Sequence, residues 1–134
     1  MNSQLTRGKS TFPLVVEGFF NRKEYIEGNS FVCLTRDNDE SRYNLYSKKM
    51  LLAILYETKD ILELNFCDSF QLHKINKLNT ILSHINWEVH LHKGTLYFTQ
   101  HLLSKDIVYT VPVKECCWCY FEKKGTTWEA KYGF

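Results

Sequence analysis

Apolar and polar residues alternate through most of the 134-residue chain, and the period of that alternation predicts its elements. Residues 14–20 read as an apolar strand, with a turn over 21–23 and a second turn signal at Glu27-Gly28-Asn29. Residues 30–36, rich in apolar and β-branched side chains, form the next strand. The polar loop 37–41 then leads back into a partner over 42–47, with Tyr43, Leu45 and Ser47 on one face and Asn44 and Tyr46 on the other. The run 49–57 is uniformly apolar and fits helix or buried strand. The tight turn Thr58-Lys59-Asp60 favours a strand, pairing with 61–67, where Leu62, Leu64 and Phe66 oppose Ile61, Glu63 and Asn65.

A different period follows. Phe70, Leu72, Ile75, Leu78, Ile81, Leu82 and Ile85 recur at spacings of three and four, a stripe on one face of a helix over about 69–85. Asp68 or Ser69 supplies its N-cap, and Lys74, Asn76, Lys77 and Thr80 fall on the opposite side. Beyond it, Trp87, Val89 and Leu91 alternate with Glu88, His90 and His92. Lys93-Gly94 turns the chain into a strand over 95–101, and 107–113 gives another, which Pro112 marks as an edge. Residues 116–122 and 126–132 make a last hairpin around Lys123-Lys124-Gly125. The sequence predicts a flexible arm over 1–12 and a single α+β domain over 13–134, in which one amphipathic helix packs on antiparallel β-meander sheet.

Composition narrows the function classes. Hydrophobic residues are 44% of the chain, which opposes disorder, and a domain of this length can bury a core without staples. Seventeen basic and fifteen acidic residues leave a net charge of +2, too small for an overall nucleic-acid-attracting field. The longest apolar run, 50–56, is too short to span a bilayer, and the polar residues 1–11 lack the apolar core of a secretory signal. With an odd number of cysteines, five, the expectation is a cytoplasmic protein without a membrane role.

Cys116, Cys117 and Cys119, with His90 and His92, are residue types that bind zinc. Strand alternation sends Cys117 and Cys119 to one face and Cys116 to the other, so the adopted reading is structural cysteines and no metal. His90 and His92 share a solvated strand face that His101 approaches across the hairpin. Nucleophile-elbow, phosphate-loop and metalloprotease signatures are absent, so no catalytic residue and no cofactor is assigned. The expectation is not an enzyme; a zinc-dependent one is the third alternative. Candidate partner-binding residues gather where charge meets aromatics: Tyr120, Lys123, Lys124, Trp128 and Tyr132 at the last hairpin, and Asp37, Asp39 and Glu40 in the acidic loop. Alternation places Trp128, Ala130 and Tyr132 on one face of that hairpin. Lys48-Lys49, Lys74 with Lys77, and Lys123-Lys124 also interleave base with aromatic as single-stranded nucleic-acid binders do.

Three stretches carry a family resemblance: Tyr46-Ser47-Lys48-Lys49, Leu51-Leu52-Ala53-Ile54, and Ser69-Phe70-Gln71-Leu72-His73-Lys74-Ile75-Asn76. Within residues 30–85 they resemble short uncharacterised bacteriophage proteins. In those, an aromatic-Ser-aromatic-x-Thr turn precedes an apolar strand containing Ala, and Ser-x-Thr-Thr-x-x-His opens a helix. This chain lacks the turn threonine, has Phe70-Gln71 for the paired threonines, and sets Ser69 closer to His73. The resemblance implies a mobile-element origin and a compact, cofactor-free inhibitor of a host protein, of the anti-defence or anti-CRISPR type. The implied partner is a host protein or ribonucleoprotein complex. A nucleic-acid-binding accessory protein is the alternative.

Overall fold

The computed structural model describes residues 11–67, 72–115 and 117–132, and of Glu27 and Tyr132 the backbone alone. The expected N-cap at Asp68 or Ser69, the stripe residue Phe70, Cys116, the Tyr132 side chain and residues 1–10 of the arm lie outside that description. The fold is α+β, mostly antiparallel sheet with two helices, and the chain divides into two compact units, Met1–Lys59 and Asp60–Phe134.

The first unit opens on a helix, α1 (Phe12–Phe20), where the sequence predicts an arm ending at 12 and a strand over 14–20. Val15, Val16, Phe19 and Phe20 favour strands intrinsically, but packing overrides that preference. Pro13 lies in the first turn, where its missing N–H costs nothing. Phe12, Val15, Val16 and Phe19 then bury one helical face almost completely. Asn21 and Lys23 amides close the helix on the carbonyls of Glu17 and Gly18. Against α1 runs an antiparallel meander: β1 (Tyr25–Glu27), a short strand the sequence does not predict, β2 (Ser30–Thr35), β3 (Arg42–Ser47) and β4 (Met50–Tyr56). Val32, Leu45 and Ala53 lie in register across β2, β3 and β4 and are buried, and Leu52 is bulged from the β3–β4 ladder. Arg22 fixes the helix exit to the end of β4, donating to the carbonyls of Tyr56 at 2.9 Å and Lys59 at 3.1 Å.

The second unit contains β5 (Ile61–Asn65), α2 (Leu72–Leu82) with a 3-10 turn over Ser83–Ile85, β6 (Trp87–His92), β7 (Thr95–His101), β8 (Asp106–Pro112), β9 (Trp118–Lys124) and β10 (Thr127–Tyr132). β6-β7-β8 form one antiparallel sheet, and β5, β9 and β10 pair antiparallel in that order. The predicted strand alternation holds: Leu62, Leu64, Phe66, Trp87 and Val89 are all buried. The two layers meet through aromatic edges, with Phe66 on Phe98 at 4.9 Å and Trp87 on Phe121 at 5.2 Å.

Helix α2 buries Ile75, Leu78, Ile81 and Leu82 as the stripe predicts, and Ile85 follows in the 3-10 turn; Asn86 ends it in the left-handed region at φ 63°. Two expectations are overturned. Leu72 stands exposed at the helix start, and Lys74, expected on the solvent side, is buried. Its ammonium donates to the Cys67 carbonyl, which lets the stem lie along the core while the charge keeps a partner.

Candidate interaction surfaces

The β9–β10 hairpin turns at Gly125, whose φ of +63° suits the tight two-residue connection. Thr127 falls opposite Lys124, Trp128 opposite Lys123, and Ala130 opposite the buried Phe121. Trp128 therefore belongs to the inward face and is half-buried. Tyr120 lies on the outward face beside Glu122 and is also half-buried. A bulge between Ala130 and Tyr132 places the Tyr132 backbone opposite that of Tyr120. Lys123 and Lys124 are exposed at the tip. Lys124 and Lys131 share the Glu122 carboxylate at 3.8 and 3.5 Å, whereas the Lys123 ammonium has no ion pair among the described residues.

The acidic loop is more committed to the fold than its composition suggests. Asp37 accepts from the Asn38 amide at 2.6 Å and pairs with Arg42 at 3.3 Å. Glu40 accepts from the Thr58 amide and hydroxyl at 3.2 Å and faces the Lys59 ammonium at 3.8 Å, tying this loop to the end of β4. Of the three acids only Asp39 lacks a described side-chain partner, and it is exposed.

Of the cysteine–histidine set, Cys116 lies outside the described residues. Cys119 is fully buried in β9 opposite Leu64, while Cys117 is exposed ahead of the strand. The Cys117 carbonyl still accepts from the Phe66 amide at 2.8 Å, but its side chain is exposed where that of Cys119 is buried. No group of His, Cys, Asp and Glu among the described residues is arranged to hold a metal ion.

The histidines make a different constellation. Glu88 on β6 accepts from His90 Nε2 at 2.5 Å and from His101 Nε2 at 2.6 Å, and His101 Nδ1 faces Asp106 at 3.2 Å. The hairpin register brings His101 to this face, as the sequence predicts. The Glu88 bond, then the Asp106 bond, raise the His101 imidazolium above its ordinary 6.5. The His101 and then the His90 bonds lower the Glu88 carboxyl below 4.5. The sequence shows three histidines but not that a carboxylate bridges two of them.

In the first unit, Lys48 and Lys49 both take positive φ, 52° and 67°, in the turn between β3 and β4. They border an open depression with Gly28, Asn29 and Phe31, and Phe31 stacks on Tyr46 at 4.9 Å.

No protein-family profile, curated protein or solved structure matches the chain. No helix among the described residues is long and apolar enough to cross a membrane.

Proposed function

We propose that this chain is a small binding protein of mobile-element type that inhibits or modulates a cytoplasmic host protein, with a nucleic-acid-handling defence complex of the anti-CRISPR-target kind as the class of partner. The observation that carries the reading is the β9–β10 tip. Two adjacent lysines are held out by a tight turn on a strand pair anchored in the core by Cys119 and Phe121. A rigid hairpin presents charge at low entropic cost, which favours recognition over loose electrostatic attraction. The half-buried Tyr120 and Trp128 behind the tip give it the amphipathic aromatic support that binding surfaces use.

Affinity capture from host lysate, with and without nuclease, tests this. Capture of the same host protein in both conditions is expected. Loss of all capture after nuclease treatment contradicts the protein-binding reading.

A second reading, a nucleic-acid-binding accessory protein, is favoured by the Lys48-Lys49 turn. Two cations held at positive φ beside the stacked pair Phe31 and Tyr46 suit a phosphate and an adjoining base. Binding of a single-stranded oligonucleotide that weakens steeply with salt, and that Lys48→Glu with Lys49→Glu abolishes, separates this reading from the first.

A further inference from the structure

Three strands end their sheets in the second unit, β6, β8 and β10, and an unpaired strand edge is a template for another chain. Two of the three carry a side-chain cap at one outward residue. On β6, Asn79 from α2 imitates a neighbouring strand: its amide nitrogen donates to the Val89 carbonyl at 2.8 Å and its oxygen accepts the Val89 N–H at 2.7 Å. On β10, the outward Trp128 carbonyl accepts from Trp87 Nε1 at 2.8 Å and Gln100 Nε2 at 2.9 Å.

Among the described residues, no side chain caps the outward backbone groups of β8 in this way. The His101 amide donates to Asn86 and the Val113 amide to Gly94, which sets the phase of the ladders. Ile107, Tyr109 and Val111 therefore bond back to β7, while the backbone groups of Asp106, Val108 and Thr110 point away from it. Pro112 sits in the outward phase, where its missing N–H breaks no ladder bond. β8 carries no lysine or arginine, the usual guards of an edge. Val108 is 55% exposed and Tyr109 39%, the latter stacked on Trp87 at 5.8 Å.

Beside this edge lies an open cleft shared with β10, lined by Ile107, Tyr109, Thr127, Ala130 and Glu129. Glu129 is exposed, has no ion pair among the described residues, and is the one ionisable carboxylate in that lining. Thr127, in that lining, pairs across the hairpin with Lys124 of the tip.

We propose that β8 is a docking edge for an extended segment of a partner protein, which adds as an antiparallel or parallel strand. It bonds to the outward amides and carbonyls of Val108 and Thr110, and lays apolar side chains with one lysine or arginine into the cleft at Glu129. Charge selects this occupant over a second copy of the chain, which would bring a second Glu129 to the shared edge with no cation on either β8. The proposal rests on the protein-binding reading and supplies its second contact surface.

The test needs no host component. The probe is a capped eight-residue peptide alternating valine and threonine, with one lysine among the valines. Added to the full chain, it is expected to slow hydrogen exchange of the Val108 and Thr110 amides about tenfold. The same peptide N-methylated at alternate residues is expected to leave both amides unchanged. Val108→Pro and, as a variant that keeps the backbone donor and adds a guarding charge, Val108→Lys should each remove the protection. Glu129→Gln should weaken the lysine peptide about threefold and leave a lysine-free peptide unaffected. Unslowed exchange at both amides up to the peptide's solubility limit overturns the proposal. So does protection that appears without peptide as the protein concentration rises, which assigns the edge to a second copy. A host protein that binds Val108→Lys as tightly as the parent chain removes β8 from its interface and leaves the protein-binding reading standing.

Discussion

Asn79 offers a stability test whose magnitude follows from the geometry. Its side chain satisfies both backbone groups of Val89, a residue whose side chain is fully buried, at an edge against which α2 packs. Asn79→Ala removes both partners together. Each stranded backbone group costs about 1–1.5 kcal/mol where some water can reach it, about 2–3 kcal/mol for the pair. Alanine returns about 0.6 kcal/mol of helix propensity to α2. The net loss is about 1.5–2.5 kcal/mol, a fall in Tm of about 5–12 °C for a chain of this size. Asn79→Asp sharpens the test. One carboxylate oxygen still accepts the Val89 N–H, but the other meets the Val89 carbonyl and raises that carboxyl's pKa in the folded chain. The sign follows: this variant is destabilised at neutral pH and recovers as pH falls and the carboxyl protonates. Thermal unfolding at pH 7 and pH 4.5, with exchange of the Val89 amide, reads all of this. An alanine variant within about 0.5 kcal/mol of the parent would refute the strand-mimicking role.

Other outcomes follow from the same structure. Leu78→Asp puts an unpaired charge at a fully buried position and should cost more than about 3 kcal/mol, read by urea unfolding; a near-neutral result means that α2 does not pack as described. His101 should titrate above 6.5 and Glu88 below 4.5 by NMR. The raised His101 value adds stability that is complete below 6.5 and lost as pH rises through its folded value. The lowered Glu88 value adds stability present above 4.5 and lost as pH falls, so the cluster contributes most between those limits. Glu88→Gln should bring the His101 midpoint down, and a parent midpoint at or below 6.5 contradicts the bridge. Arg22→Ala removes two donors to the end of β4 and should speed exchange of the residues near Tyr56 without changing that of α2.

Where one period and one face govern a segment, the sequence is legible. β3 has the predicted bounds, the 61–67 and 87–92 alternations bury the predicted sides, and α2 buries the predicted core of its stripe. The first helix was readable too, but only from positions 12, 15, 16 and 19 taken together with Pro13. Starting the apolar run at residue 14 truncates that period and leaves the β-branched and aromatic composition to decide. Lys74 escapes a polar-or-apolar assignment because its stem and its charge face different surroundings. The interaction surfaces are less legible because they depend on register and phase. Trp128 and Tyr120 part company through cross-strand pairing, a bulge shifts the backbone register before Tyr132, and Glu40 is occupied by a residue eighteen positions away. Pro112 marks β8 as an edge in the sequence, whereas the contact of Asn79 with the β6 edge has no sequence signature.

The β9–β10 tip is proposed to engage a host protein. The most direct test is a titration of the captured, purified host protein with the parent chain and with Lys123→Glu plus Lys124→Glu, across a salt series. The double variant is expected to bind about tenfold more weakly with an unchanged Tm, and the parent to lose only modestly with salt. Equal affinity of the two chains, with the fold of both intact, would contradict that engagement.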